Sequence, residues 1–245
     1  MTAYDLPAWD IRREADLERA LDSVDAVINC AAYTDVDGAE TDADTAHAVN
    51  ADAVGRLGEL AAARDVYVLH VSTDFVFDGR GDSPYTEDDA VNPVNAYGRS
   101  KLAGERTLAV SGCRHAIVRV EWTYGEHGPN FVSKILDLAR ARDEIRVVAD
   151  QFGAPTPVTA AADALLAVCD RRAEGLYHYA AAGRASRFEV AEGIVAAAGL
   201  DCRVTPCDSS EFPSPAPRPA NSVFDCSKFD RDIGAPRPQW RTALN

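Results

Sequence analysis

From the start of the chain to about Leu138, short apolar runs alternate with stretches whose apolar residues recur at helical spacing. Ala26–Cys30, apolar but for Asn29, reads as a buried strand, and 43–63 carries apolar residues on one helical face. Val66–Val71 predicts the next strand, Ala96–Val110 a helix, Ala116–Val120 a strand, and Asn130–Arg142 another amphipathic helix. Strands alternating with helices of this length specify an α/β chain with a parallel sheet covered on both faces. Thr2–Asp5 resembles the end of a further strand with an acidic tip.

The fold class expected is a doubly wound, Rossmann-like sheet, in which an acidic residue at the tip of the second strand faces a dinucleotide. On this reading the first strand and its glycine-rich turn lie upstream of the sequence. Beyond Asp150 the texture changes to shorter elements and proline-rich loops, Asp150–Pro157 and Phe212–Pro219, of the kind that shape a site. The expected organisation is an incomplete dinucleotide-binding domain over 1–149 and a smaller, mainly substrate-binding region over 150–245, partly interleaved with it.

With 245 residues, 47% of them hydrophobic, the chain can bury a sizeable core. No apolar run approaches the roughly 18 residues of a membrane span, and the N-terminus lacks the basic and apolar segments of a secretory signal, so a cytoplasmic location is expected. Six scattered cysteines without a CxxC pair, and histidines without helical ligand spacing, point to no metal. A formal charge of −14 argues against nucleic acid and anionic membranes as partners. An anionic substrate would need local basic groups.

Tyr97-Gly-Arg-Ser-Lys101 opens a predicted helix, and Ser72-Thr73-Asp74 ends the strand upstream. A spacing of four puts phenol and ammonium on one helical face, where the cation favours the phenolate. A hydroxyl from the strand end can bond the same carbonyl oxygen that the phenol protonates. Together these groups make an acid for carbonyl reduction.

Val71-Ser-Thr-Asp-Phe-Val-Phe-Asp-Gly79, Pro93-Val-Asn-Ala-Tyr-Gly-Arg-Ser-Lys-Leu-Ala-Gly-Glu105, Asp150-Gln-Phe-Gly-Ala-Pro-Thr156, Arg218-Pro-Ala-Asn-Ser222 and Asn29-Cys-Ala-Ala-Tyr-Thr34 stand in one order over nearly the whole chain. In order and spacing they resemble signature segments of the dTDP-4-dehydrorhamnose reductases, which are extended short-chain dehydrogenases/reductases. The resemblance implies NADPH or NADH as cofactor and a nucleotide-linked 4-keto-6-deoxysugar as substrate. It implies that Tyr97 protonates O4 as the nicotinamide reduces C4, that Lys101 holds the nicotinamide ribose, and that Thr73 bonds the carbonyl oxygen. By the same likeness Ala32, Tyr33, Thr34 and Val71 line the cofactor, and Asp10 and Ile11 lie near its adenine end. Asp74, Trp122, Gln151 and Arg218 would meet the substrate.

Two departures stand out. Roughly thirty residues carrying the family's glycine-rich strand–turn–helix unit are expected ahead of Met1. Glu121 stands before the tryptophan where the family carries a small, polar or hydroxylic residue. An epimerase or dehydratase of the same fold, and a non-catalytic subunit resembling the regulatory subunit of methionine adenosyltransferase, are the alternatives. A homodimer is one assembly open to the chain.

Overall fold

The computed structural model describes residues 1–244. Helix α1 (Glu14–Ala20) leads into strand β1 (Ala26–Asn29). Helices α2 (Ala43–His47) and α3 (Ala53–Ala62) run on through a π turn, Ala48–Asp52, to β2 (Tyr67–Thr73). Next come α4 (Ala96–Val110), β3 (His115–Val120), β4 (Thr123–Tyr124), α5 (Phe131–Ala141), β5 (Glu144–Val148), β6 (Phe152–Gly153) and β7 (Thr156–Pro157). The chain continues with α6 (Val158–Asp170), β8 (Gly175–Tyr179), β9 (Ala185–Ser186), α7 (Arg187–Ala197), β10 (Arg203–Cys207) and α8 (Ser227–Asp232).

The central sheet is parallel, in the order β1-β2-β3-β8. Its strands alternate side chains between two cores, as the two-residue period of a strand requires. Tyr67 and Leu69 of β2, with Ala116 and Val118 of β3, pack on one face with α6 and α8. Val68 and Ile117 point the other way, into Leu17, Val54, Leu57 and Leu108 from α1, α3 and α4. Two covered faces explain why these strands are continuous apolar runs. A third core joins α5, α7, β5 and β10 around Ile135, Val190, Ile194 and Trp240.

Glycine lets α4 sit tightly on its neighbours at two positions. A Cβ on Gly98 would lie 2.2 Å from the Phe75 carbonyl oxygen, and one on Gly104 would lie 2.0 Å from that of Asn50. Asn95 caps the helix, its side chain accepting from the Gly98 amide at 2.7 Å. The first turn, which carries Tyr97, is thereby pressed against the carboxyl end of β2.

Three expectations are corrected. Thr2–Asp5 is not a strand: the segment is exposed, and no other strand among the described residues offers it a ladder. The helix expected over 43–63 is interrupted by the π turn. The region beyond Asp150 is not made of short elements alone, because α6 has 13 residues and α7 has 11. In α6 the proline that suggested a loop, Pro157, is the residue on which the helix starts. Strand β8 from this region completes the central sheet, while β5 pairs with β10 outside it. No helix among the described residues is long and apolar enough to cross a membrane.

Candidate active site

In a doubly wound sheet, ligands bind beyond the carboxyl ends of the strands. Here that edge carries Val71, Thr73 and Asp74 from β2 and the loop after it, Tyr97 and Lys101 from α4, and Glu121 and Trp122 beyond β3. Tyr97 and Lys101 lie one helical turn apart on the face turned to β2. Lys101 is 2% exposed, and its Nζ donates to the Val71 carbonyl at 2.7 Å and meets His70 Nε2 at 3.3 Å. Burial lowers the Lys101 amine to about 8, with Glu105 and Cys30 pulling it back up. Tyr97 packs edge-on against Phe75, with ring centroids 5.6 Å apart. Burial pushes its phenol up to about 12, while the Thr73 hydroxyl favours the phenolate.

Thr73 sits at the hinge of this group. Its Oγ1 accepts from the Phe75 amide at 3.2 Å and donates to Asp74 Oδ1 at 3.0 Å. Asp74 is buried and its carboxyl is raised above the usual range by burial, with Ser222, Thr73 and Arg187 opposing the shift. Beneath them Arg119 and Glu105 form a buried bidentate ion pair, Nε to Oε1 at 2.8 Å and Nη2 to Oε2 at 2.7 Å, and the Ser72 hydroxyl donates to the same carboxylate. That network fastens α4 to β2 and β3.

The Ala32–Thr34 loop is held to α4 through Asn50, which is fully buried in the π turn. Asn50 accepts from the Tyr33 amide at 2.8 Å and donates to the Tyr33 carbonyl and to Ser100 Oγ. Ala32 and Tyr33 are half-buried and Thr34 is exposed, so the loop presents a surface beside α4. Asp10 pairs with Arg12 and, through its amide, with Asp16; Ile11 is buried in the core against α1 and α3. Among the described residues no hydrogen bond connects Asp10 or Ile11 with Tyr97, Lys101 or Thr73.

Trp122 adopts a left-handed backbone, φ 44°, and its ring lies where a Cβ on Gly153 would be, 2.4 Å from Cε2. The Arg187 guanidinium stacks on that ring at 3.5 Å. Arg187 also donates its backbone amide to the Gln151 carbonyl at 3.1 Å, so Gln151, Trp122 and α7 close one wall together. Burial lowers Arg187 to about 10, against the pull of Asp74 and Glu121. Arg218 spends its fork on Asp37, at 2.9 and 3.0 Å, and also donates to the Ala216 carbonyl. The neighbouring Pro217 carbonyl accepts from Asn95, which joins the proline-rich loop to the start of α4. The sequence reading missed Arg187, His70 and Asn50. The capping pattern Ser186-Arg-Phe-Glu189 is the signal that could have placed Arg187 at the head of a helix.

Comparison with known proteins bears on the family and the fold. The family model described as RmlD substrate binding domain matches residues 1–245. The dTDP-4-dehydrorhamnose reductase of Mycolicibacterium smegmatis is 44% identical over 239 residues, 96% of this chain and 73% of that protein. The enzyme of the same name from Mycobacterium tuberculosis is 41% identical over 251 residues, covering all of this chain and 83% of its own length. Among solved structures, a dTDP-4-dehydrorhamnose reductase from Clostridium acetobutylicum superposes with TM-score 0.95 at 36% identity, covering 98% of this chain and 86% of that one. The Bacillus anthracis enzyme, solved in complex with NADP, gives TM-score 0.93 at 33% identity, with the same coverage. The chain belongs to the dTDP-4-dehydrorhamnose reductase family.

Proposed function

We propose that the chain reduces the 4-keto group of a nucleotide-linked 6-deoxysugar, dTDP-4-dehydrorhamnose in the first instance, using NADPH. The observation that carries this reading is the convergence of Tyr97, Thr73 and Lys101 at the carboxyl end of β2, within a family whose named members catalyse that reduction. The NADP held by the Bacillus anthracis relative supports NADPH over NADH. We place the reaction in the cytoplasm.

The residues present fit the nicotinamide-ribose half of such a cofactor by the chemistry of their donors. A buried amine and a phenol share one helix face beside a strand-end carbonyl. When bound, the reduced nicotinamide supplies hydride to C4. Tyr97 gives its phenolic proton to O4 as negative charge develops there, and Thr73 steadies the same oxygen with its hydroxyl. Lys101 holds the ribose and favours the phenolate that Tyr97 leaves behind. Trp122 offers an apolar face to the deoxysugar ring. Arg187 places positive charge beside Trp122, and Arg218 can serve a diphosphate by exchanging its Asp37 partner for it.

The residue after Asp74 is Phe75, packed on Tyr97, so that position holds no second acid for a water elimination of the dehydratase kind. The test is titration of the protein with NADPH and NADH, followed by turnover of dTDP-4-dehydrorhamnose. Saturable NADPH binding with loss of reduced cofactor on adding the sugar supports the reductase. Binding and turnover of neither, with copurification of a larger catalytic subunit, would replace it with the regulatory-subunit reading.

A further inference from the structure

Asn95 is fully buried at the head of α4 and uses both ends of its amide. Oδ1 accepts from the Gly98 amide at 2.7 Å, and Nδ2 donates to the Pro217 carbonyl at 2.8 Å. Gly98 follows Tyr97 on the first turn of α4, and Pro217 precedes Arg218 in the proline-rich loop. One side chain therefore joins the turn that carries the proton donor to the loop that carries an arginine for the diphosphate. Capping α4 needs only the oxygen, which serine or aspartate would supply as well. The bond from the nitrogen is not required by the cap.

A third segment closes the ring. Glu40 Oε1 accepts from the Ala96 amide at 2.6 Å, and Asp37 of the same segment takes the Arg218 fork and the Ala216 amide, the latter at 3.1 Å. The links differ in kind. The Arg218 and Asp37 side chains are 25% and 42% exposed, and an ion pair open to water is readily exchanged for a partner of higher charge. The Asn95 bonds are sealed from water, so breaking either leaves a buried polar group unsatisfied. Pro215, Pro217 and Pro219 each fix φ in the loop. Beyond Arg218 the chain is pinned, since a Cβ on Gly79 would lie 2.6 Å from the Pro219 Cα. A pull on Arg218 is thus passed to the Pro217 carbonyl instead of being absorbed.

We propose that Asn95 is a positioning residue that couples capture of the diphosphate by Arg218 to the placement of Tyr97. This role rests on the reductase reading, in which Arg218 meets the diphosphate and Tyr97 the carbonyl. When Arg218 exchanges Asp37 for the diphosphate the loop shifts, the Pro217 carbonyl carries Asn95 with it, and the first turn of α4 follows through the Gly98 amide. Asn95 acts only through these two backbone groups. Binding energy from the nucleotide, remote from the reacting carbon, is in this way used to set the general acid.

Titration of the full chain with dTDP, which carries the diphosphate but no reacting carbonyl, reads the coupling without turnover. In amide correlation spectra of wild type, the Gly98 resonance should shift as dTDP saturates. The Asn95→Ser variant keeps a cap oxygen and loses the bond to Pro217; it should bind dTDP within about threefold of wild type while most of the Gly98 shift disappears. Kinetically, the same variant should hold KM for dTDP-4-dehydrorhamnose and Kd for NADPH within about threefold while kcat falls about tenfold. A Gly98 resonance that responds as fully in Asn95→Ser as in wild type overturns the proposal, as does an unchanged kcat. Should the serine variant fail to fold, Arg218→Ala leaves the bonds of α4 in place and should bind dTDP more weakly, with no Gly98 shift at saturation; a full shift there is equally fatal. Wild-type spectra in which dTDP moves other residues but not Gly98 remove the coupling alone, whereas spectra that ignore dTDP throughout remove the nucleotide-sugar reading and the coupling with it.

Discussion

At the scale of single residues, Lys101 is governed by a partner two steps away. The Ala31 amide can only donate, and it does so to Asn29 Oδ1 at 3.1 Å, which leaves Asn29 Nδ2 to face His70 Nδ1 at 3.0 Å. Neutral His70 therefore carries its proton on Nε2, 3.3 Å from Lys101 Nζ, where an N–H facing an ammonium disfavours the charged form of the amine. Burial, then the Lys101 charge, holds His70 well below its usual range. An amine lowered to about 8 is ionised at neutral pH and loses its charge just above. NADPH affinity should accordingly weaken about tenfold or more as pH rises through that value, as one charge-assisted hydrogen bond is lost. The Lys101→Met variant should bind weakly with no such dependence, and isothermal titration across the range checks both. Tyr97→Phe removes the proton donor and should lower kcat by about two to four orders of magnitude with substrate binding little changed. Glu121 makes a stability prediction with a definite sign. Its folded-state pKa is raised, so the folded state binds more protons than the unfolded one once pH exceeds the ordinary value of 4.5, and stability is lost as pH climbs toward the folded value. Melting curves of Glu121→Gln and wild type should therefore diverge with rising pH, the variant becoming relatively more stable.

At the scale of elements, the site depends on how α4 is fixed to β2 and β3. The Glu105–Arg119 pair is 8% and 3% exposed, so removing one partner strands a buried charge. Glu105→Gln should cost about 3 to 5 kcal/mol in a denaturation midpoint series, far more than any surface pair. The central elements were legible from pattern because β2 and β3 are buried on both faces and α4 carries a glycine-spaced motif. The meeting of Tyr97, Lys101 and Thr73 at one strand end was legible for the same reason: Tyr97 and Lys101 share a helix face, and Thr73 ends a strand. Helices α6 and α7 were not, since their apolar residues are spread around helices packed on more than one side, and Pro157 hid a helix start as a loop. Arg187 was illegible with them. Its place over Trp122 follows from the packing of α7 on the 122–153 wall, a contact between distant segments that no local spacing encodes. Thr2–Asp5 had the composition of a strand end but has no ladder among the described residues.

At the scale of the whole molecule, an acidic chain of formal charge −14 sets Lys101, Arg187 and the Asp37-paired Arg218 around one end of its sheet. That asymmetry suits capture of a doubly charged sugar nucleotide against a repelling background, and it makes binding sensitive to ionic strength. The central claim is that this end of the sheet delivers hydride and proton to one carbonyl. The most direct measurement uses NADPH carrying deuterium at the transferred position, with dTDP-4-dehydrorhamnose as acceptor and nuclear magnetic resonance of the isolated sugar. The account predicts one deuterium at C4 of the product with wild type and about a hundredfold less product or lower with Tyr97→Phe. Product without deuterium at C4, or equal product from the phenylalanine variant, would contradict it.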